Sequence, residues 1–177
     1  MARRDSAAFA EFAAARSSAL FRAAYLMVGE HGLAEDLLQE ALTKTYVAWP
    51  KLRDVNNAEA YTRKAITTTA ISWWRRKSWQ NEKPRGDLPE LPYAEHSEHV
   101  AQREWLWVEL QSLPPRQRVA IVLRFYEDLT EAQTADAMGV TVGTVKSQVS
   151  DALKNLRAKL GPDVNVELVP NEMVVTS

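Results

Sequence analysis

Apolar side chains return every three or four positions along most of this chain, the period of an amphipathic helix. From about Ser6 to Val28 the stripe is Phe9, Phe12, Ala13, Leu20, Ala24 and Met27, and Gly29 and Gly32 then mark a turn. A second helix is predicted from about Leu33 to Trp49. Its apolar positions are Leu37, Leu38, Ala41, Leu42 and Val47, and Pro50 stops it. A third runs from the capping candidate Asn57 to about Trp79. Thr67, Thr68 and Thr69 lower its helix propensity, so packing must hold that stretch.

The period is lost from Lys83 to about Glu98, where Pro84, Gly86, Pro89 and Pro92 interrupt a polar, acidic segment. This reads as a linker. Helical spacing resumes from about His99 to Leu113 and stops at Pro114-Pro115. Another helix follows to about Tyr126, carrying Val119, Val122, Leu123 and Tyr126. Thr130 to Gln133 form a capping box that opens a short helix to Met138. Gly139 ends it, and Thr141 is placed to cap a last helix that reaches Leu160 before Gly161-Pro162. The predicted architecture is all-α, with two small helical domains at 1–82 and 99–160. Segment 83–98 joins them and a tail, 161–177, follows. In the tail Val164, Val166 and Leu168 alternate weakly, as an added strand would, yet its composition favours disorder.

A hydrophobic fraction of 46% is enough for packed cores. Cysteine is absent, which excludes disulfides and thiolate zinc sites. His31, His96 and His99 lack metal-ligand spacing, so no metal or cofactor is expected. No apolar run approaches the ~20 residues that span a bilayer, and the N-terminus lacks the apolar stretch of a signal peptide. A cytoplasmic protein without membrane insertion is expected. The net charge of −1 hides a strong asymmetry: seven basic residues against Glu82 between Arg63 and Arg85, then six acids against Arg103 between Asp87 and Glu109. Local sign, more than the total, steers a polyanion.

Two segments carry candidate chemistry. Residues Leu129 to Leu156 have the spacing of a helix-turn-helix, with small Ala135 at the crossing, Gly139 in the turn, and Val140 and Val145 between the helices. The outer face of the last helix holds Thr144, Ser147, Gln148, Asp151 and Lys154, able to meet base edges or phosphates. An ordinary helical hairpin with a solvated polar face is the alternative. In the second segment, Trp73, Trp74 and Trp79 interleave with Arg75, Arg76 and Lys77. Aromatic rings beside a basic stripe suit single-stranded nucleic acid, bases stacking while cations follow phosphates. Rings in a core beside a solvated basic face are equally compatible with the pattern.

Together and in this order, these parts resemble the extracytoplasmic-function sigma factors, most closely their actinobacterial sigma-E-type group. The resemblance covers about Phe9 to Leu160. Its most specific pieces are Ala34 to Ala41, Ala60 to Ala65 leading to Trp73-Trp74-Arg75, Leu113 to Arg118, and Gly143 to Ser147 followed by Ala152-Leu153. It implies an alternative sigma factor that binds core RNA polymerase through the β′ clamp coiled coil and the β flap, recognises promoter DNA and opens it. It also implies an anti-sigma partner. By the same resemblance Asp36, Leu37, Gln39, Glu40 and Thr43 would dock on polymerase. Arg53, Asp54, Asn56 and Asn57 would capture a flipped base of the minus-ten element. Tyr61, Lys64, Thr68, Trp73, Trp74, Arg75, Arg76, Lys77 and Trp79 would hold the opened strand. Thr141, Thr144, Lys146, Ser147, Ser150, Asp151 and Lys154 would read the minus-thirty-five element. Thr68 stands where the family commonly has Asn. Ser150 and Asp151 replace larger or basic residues.

Opening roughly ten base-pair steps at ~1.4 kcal/mol each costs on the order of 14 kcal/mol. Three tryptophan stacks return about 3–9 kcal/mol. The chain alone falls short, as expected for a subunit of a larger machine. A stand-alone helix-turn-helix regulator is the rival reading. An enzyme is disfavoured, because the sequence has no Gly-rich phosphate loop and no nucleophile constellation.

Overall fold

The computed structural model describes residues 2–52, 54–78, 108–161, 165–169 and 172–176, with side chains for 5–52, 54–76 and 108–161. The chain divides into two compact units at Pro84 and Arg85. The expected linker, 83–98, lies outside the described residues.

The first unit is built from α1 (Ala2–Val28), α2 (His31–Ala48), a 3-10 turn (Trp49–Lys51) and α3 (Val55–Ser78). α2 begins earlier than its apolar stripe predicts because the Glu30 carboxylate caps it, accepting from the Gly32 and Leu33 amides at 3.0 and 3.1 Å. A Cβ on Gly32 would lie 3.0 Å from Glu30 Oε1, so this cap favours glycine there. α3 likewise starts at Val55 because Asp54, rather than Asn57, is its cap: Asp54 Oδ1 accepts from the Asn57 amide at 2.8 Å.

Leu20, Met27, Leu37 and Ile66 are fully buried between these helices, with Ala24, Ala34, Ala41, Ala58 and Ala70. The small residues let the helices approach closely. Buried hydroxyls cost free energy unless bonded. Here the Thr45 and Thr62 hydroxyls meet at 2.8 Å across the α2–α3 contact, and each also reaches a carbonyl one turn back. An aromatic cluster closes one end. Phe9 packs edge-on to Tyr46 at 5.0 Å and to Trp49 at 5.4 Å.

The second unit contains a helical stretch at 108–111, α4 (Pro115–Ile121), α5 (Glu131–Met138) and α6 (Val142–Leu160). The single helix expected to reach Tyr126 instead widens at Val122–Tyr126 into a π-helical turn, its Glu127 amide donating to the Val122 carbonyl at 3.0 Å. No glycine or proline marks that change in the sequence. Leu110, Leu113, Ile121, Ala152 and Leu156 form the core, with Phe125, Val149 and Leu153 packed against it.

Composition favours disorder in the tail, but two of its segments are strands. Asn165–Val169 (β1) and Glu172–Thr176 (β2) pair as an antiparallel hairpin, and β2 runs beside the π-helical turn. Its register explains the pairing. Val166 lies opposite Val175 and Leu168 opposite Met173, while each intervening pair contains a polar residue. The alternation is weak in either strand alone and becomes clear only once the two are aligned.

Candidate nucleic-acid interface

Local turn chemistry builds the helix-turn-helix of the second unit. The Thr130 hydroxyl accepts from the Gln133 amide at 3.1 Å, and the Gln133 side chain accepts from the Thr130 amide at 2.9 Å. Gly139 then turns the chain at φ 66°, in the left-handed region where a side chain is strained. Thr141 caps α6 by accepting from the Thr144 amide at 3.2 Å. Ala135 and Val145 are buried where α5 and α6 meet.

α6 therefore projects Lys146, Ser147, Ser150, Asp151 and Lys154 together from one exposed face, with Thr141 exposed and Thr144 half-buried at its start. The Lys146 ammonium lies 3.6 Å from the Glu131 carboxylate. Both partners of this pair are exposed, so it contributes little stability. Glu131 carries no sequence signal for that contact. Behind the face, the Asn155 amide donates to Gln117 at 2.8 Å and ties α6 to α4. The Arg118 guanidinium is buried and donates to the Gln111 carbonyl at 3.1 Å. Burial lowers its pKa to about 10, which still leaves it charged at neutral pH.

α3 is amphipathic along its length. Ala58, Thr62, Ala65, Ile66 and Thr69 face the core. Asn57, Tyr61, Lys64, Thr68, Ser72 and Arg75 follow one another at three- and four-residue steps, a continuous row about 27 Å long at the helical rise. Of these Ser72 is half-buried and the others are exposed. Asp54 and Asn56 are exposed at its start, and Arg76 is exposed near its end. Trp73 and Trp74 are half-buried there, so each ring is partly seated in the unit and partly accessible. The Thr68 hydroxyl donates back to the Lys64 carbonyl at 2.9 Å, leaving its lone pairs as the group it offers outward. Arg53, Trp79 and the Lys77 side chain lie outside the described residues.

On α2, Asp36, Gln39, Glu40 and Thr43 share one outer face. Leu37 does not join them. It is fully buried in the core beneath that face, so the assignment of Leu37 as a docking contact is corrected. Helical geometry turns it about 100° away from Asp36. Among the described residues no helix is long and apolar enough to cross a membrane, and no cluster of His, Asp and Glu could hold a metal ion.

Residues 13–80 match the family model described as Sigma-70 region 2, and residues 103–156 match Sigma-70, region 4. The chain is 40% identical to the RNA polymerase sigma-E factor of Streptomyces coelicolor over 152 residues, 86% of this chain and 85% of that one. It is 27% identical to the RNA polymerase sigma factor SigV of Bacillus subtilis, over 79% of this chain and 83% of that one. Its fold resembles the sigma factor RpoE of Bartonella quintana, solved in complex with the anti-sigma factor NepR. The TM-score is 0.67 at 24% identity, covering 88% of this chain and 98% of that one.

Proposed function

The chain belongs to the sigma-70 family of RNA polymerase sigma factors, in its extracytoplasmic-function branch, and from this premise we propose how its residues divide the work. As an alternative sigma factor it binds core RNA polymerase and promoter DNA and directs transcription initiation. The family is not a class of catalysts, and we read this chain as having no active site of its own.

In this reading residues 1–82 bind core polymerase, recognise the minus-ten element and hold it open. Residues 83–98 form a linker and residues 99–160 read the minus-thirty-five element. The observation that carries it is the exposed row on α3, from Asn57 to Arg75, ending beside the half-buried Trp73 and Trp74. A one-sided strip of polar groups and cations leading to accessible rings is what an unpaired strand requires. The exposed face of α6 suits an intact major groove, where Lys146 and Lys154 meet phosphates and Ser147 and Asp151 meet base edges. Asp36, Gln39, Glu40 and Thr43 offer the polymerase-docking face. An anti-sigma partner and a cytoplasmic location complete the proposal, the first supported by the complex in which the RpoE homologue was solved.

Transcription in vitro from a randomised promoter library, with core polymerase and this chain, tests the division of roles. Selected promoters should carry two short conserved elements at a fixed spacing. Selection of a single palindromic element, bound equally well without polymerase, would instead establish the stand-alone regulator.

A further inference from the structure

We propose that Lys44, Ser72 and Arg76, lining a small cleft between α2 and α3, form a seat for one backbone phosphate of the displaced DNA strand; the proposal rests on the strand-holding reading of α3. The cleft is lined by Glu40, Lys44, Thr68, Thr69, Ser72 and Arg76. None of Lys44, Thr69 and Ser72 belongs to the residues that the family resemblance marks for DNA.

The Lys44 ammonium is fixed rather than free. It donates to the Thr69 hydroxyl at 2.9 Å and pairs with Glu40 Oε1 at 2.9 Å. Thr69 is only 3% exposed, so a core residue anchors the cation. An ammonium has three N–H donors, which leaves one for a ligand. Across the cleft, Arg76 Nη2 lies 3.2 Å from Ser72 Oγ, and four further guanidinium donors remain. The Lys44 side chain is 47% exposed, open enough to meet a ligand without rearrangement of the core.

Two cations against the single Glu40 carboxylate leave the cleft positive, and the Ser72 hydroxyl, which accepts from Arg76, keeps its own proton to donate. That chemistry takes an anion rich in acceptor oxygens, and a phosphodiester is such a group. Position identifies the source. Thr68 and Ser72 are consecutive members of the exposed α3 row, one turn before Arg76, so a strand lying along the row passes over Lys44. Pre-placement by Thr69 also lowers the side-chain entropy that a surface lysine otherwise loses on binding.

The test uses the holoenzyme, assembled from core polymerase and the full chain, and single-stranded oligonucleotides carrying the minus-ten region. Each oligonucleotide has one phosphate replaced by an uncharged methylphosphonate, and affinity is read by fluorescence anisotropy. Lys44→Met should weaken binding of the fully charged strand about tenfold and lower the salt slope by about 0.7. One methylphosphonate position should cost the unmodified protein similarly and cost Lys44→Met nothing. Lys44→Arg should retain most of the affinity, and Ser72→Ala should show a smaller loss at the same position. If the unmodified holoenzyme holds the strand and Lys44→Met holds it equally well, or remains sensitive at every position, the seat is overturned alone. A holoenzyme that does not hold the single strand at all overturns the strand-holding reading as well.

Discussion

Replacing Trp73 and Trp74 together with alanine is expected to reduce promoter opening by the holoenzyme at least about thirtyfold while leaving its affinity for core polymerase unchanged. Each base stacked on a ring contributes about 1–3 kcal/mol, so two rings represent about 2–6 kcal/mol, and every 1.4 kcal/mol is a factor of ten. Both tryptophans are half-buried at the end of α3, beside exposed Arg75 and Arg76. The proposed docking face of α2, Asp36, Gln39, Glu40 and Thr43, uses none of them. Permanganate reactivity of unpaired thymines reads the opening, and competition against a labelled sigma factor reads core affinity. Loss of both to the same extent, with a lowered melting temperature, would show that the rings serve the fold instead.

A second large effect is expected from Leu156→Ala. Leu156 is fully buried on α6, packed among Leu110, Leu113, Ile121 and Ala152, with Phe125, Val149 and Leu153 against them. A buried Leu→Ala change costs about 2–5 kcal/mol. Small domains have about 5–15 kcal/mol in total, so the second unit should become marginal. Calorimetry is expected to show its transition lowered by at least about 8 °C, with the transition of the first unit in place. Holoenzyme carrying the substitution should lose its preference for promoters with a minus-thirty-five element. An unshifted transition would mean that the α4–α6 core is not what holds the reading helix in position.

The sequence was most informative where structure is local. Thr130, Gln133 and Thr141 bond to amides within three residues of themselves and Gly139 supplies the left-handed turn, so the boundaries of α5 and α6 follow from residue type alone. The exposed face of α6 follows from those boundaries and a 3.6-residue period. Two capping signals compete within one turn at the start of α3. Asp54 and Asn57 are both able to cap α3, and Asp54 does so because its backbone precedes the first helical residue. Leu37 lies within the stretch that the resemblance marks for docking, but on a helix it points about 100° away from Asp36 and is buried.

Features that depend on partners distant in the chain left no local trace. The hydroxyl contact of Thr45 with Thr62 and the anchoring of Lys44 by Thr69 span 17 and 25 residues. They exist only because α2 packs on α3. The hairpin of the tail is similar, since neither strand has a strong pattern without its register to the other. The π-helical turn at Val122–Tyr126 has no compositional signature at all. Residues that share one helix face can therefore be grouped from the 3.6-residue period alone, whereas the lining of a cleft between two helices cannot.

One proposal underlies the rest: one unit of this chain would grip an unstacked strand and the other an intact groove, and only when mounted on polymerase. Footprinting a single promoter with the chain alone, with core polymerase alone and with both tests it most directly. Permanganate-reactive thymines should appear near the minus-ten element only in the third sample, together with protection at the minus-thirty-five element. Reactive thymines produced by the chain alone, or no opening when it is added to polymerase, would contradict the account.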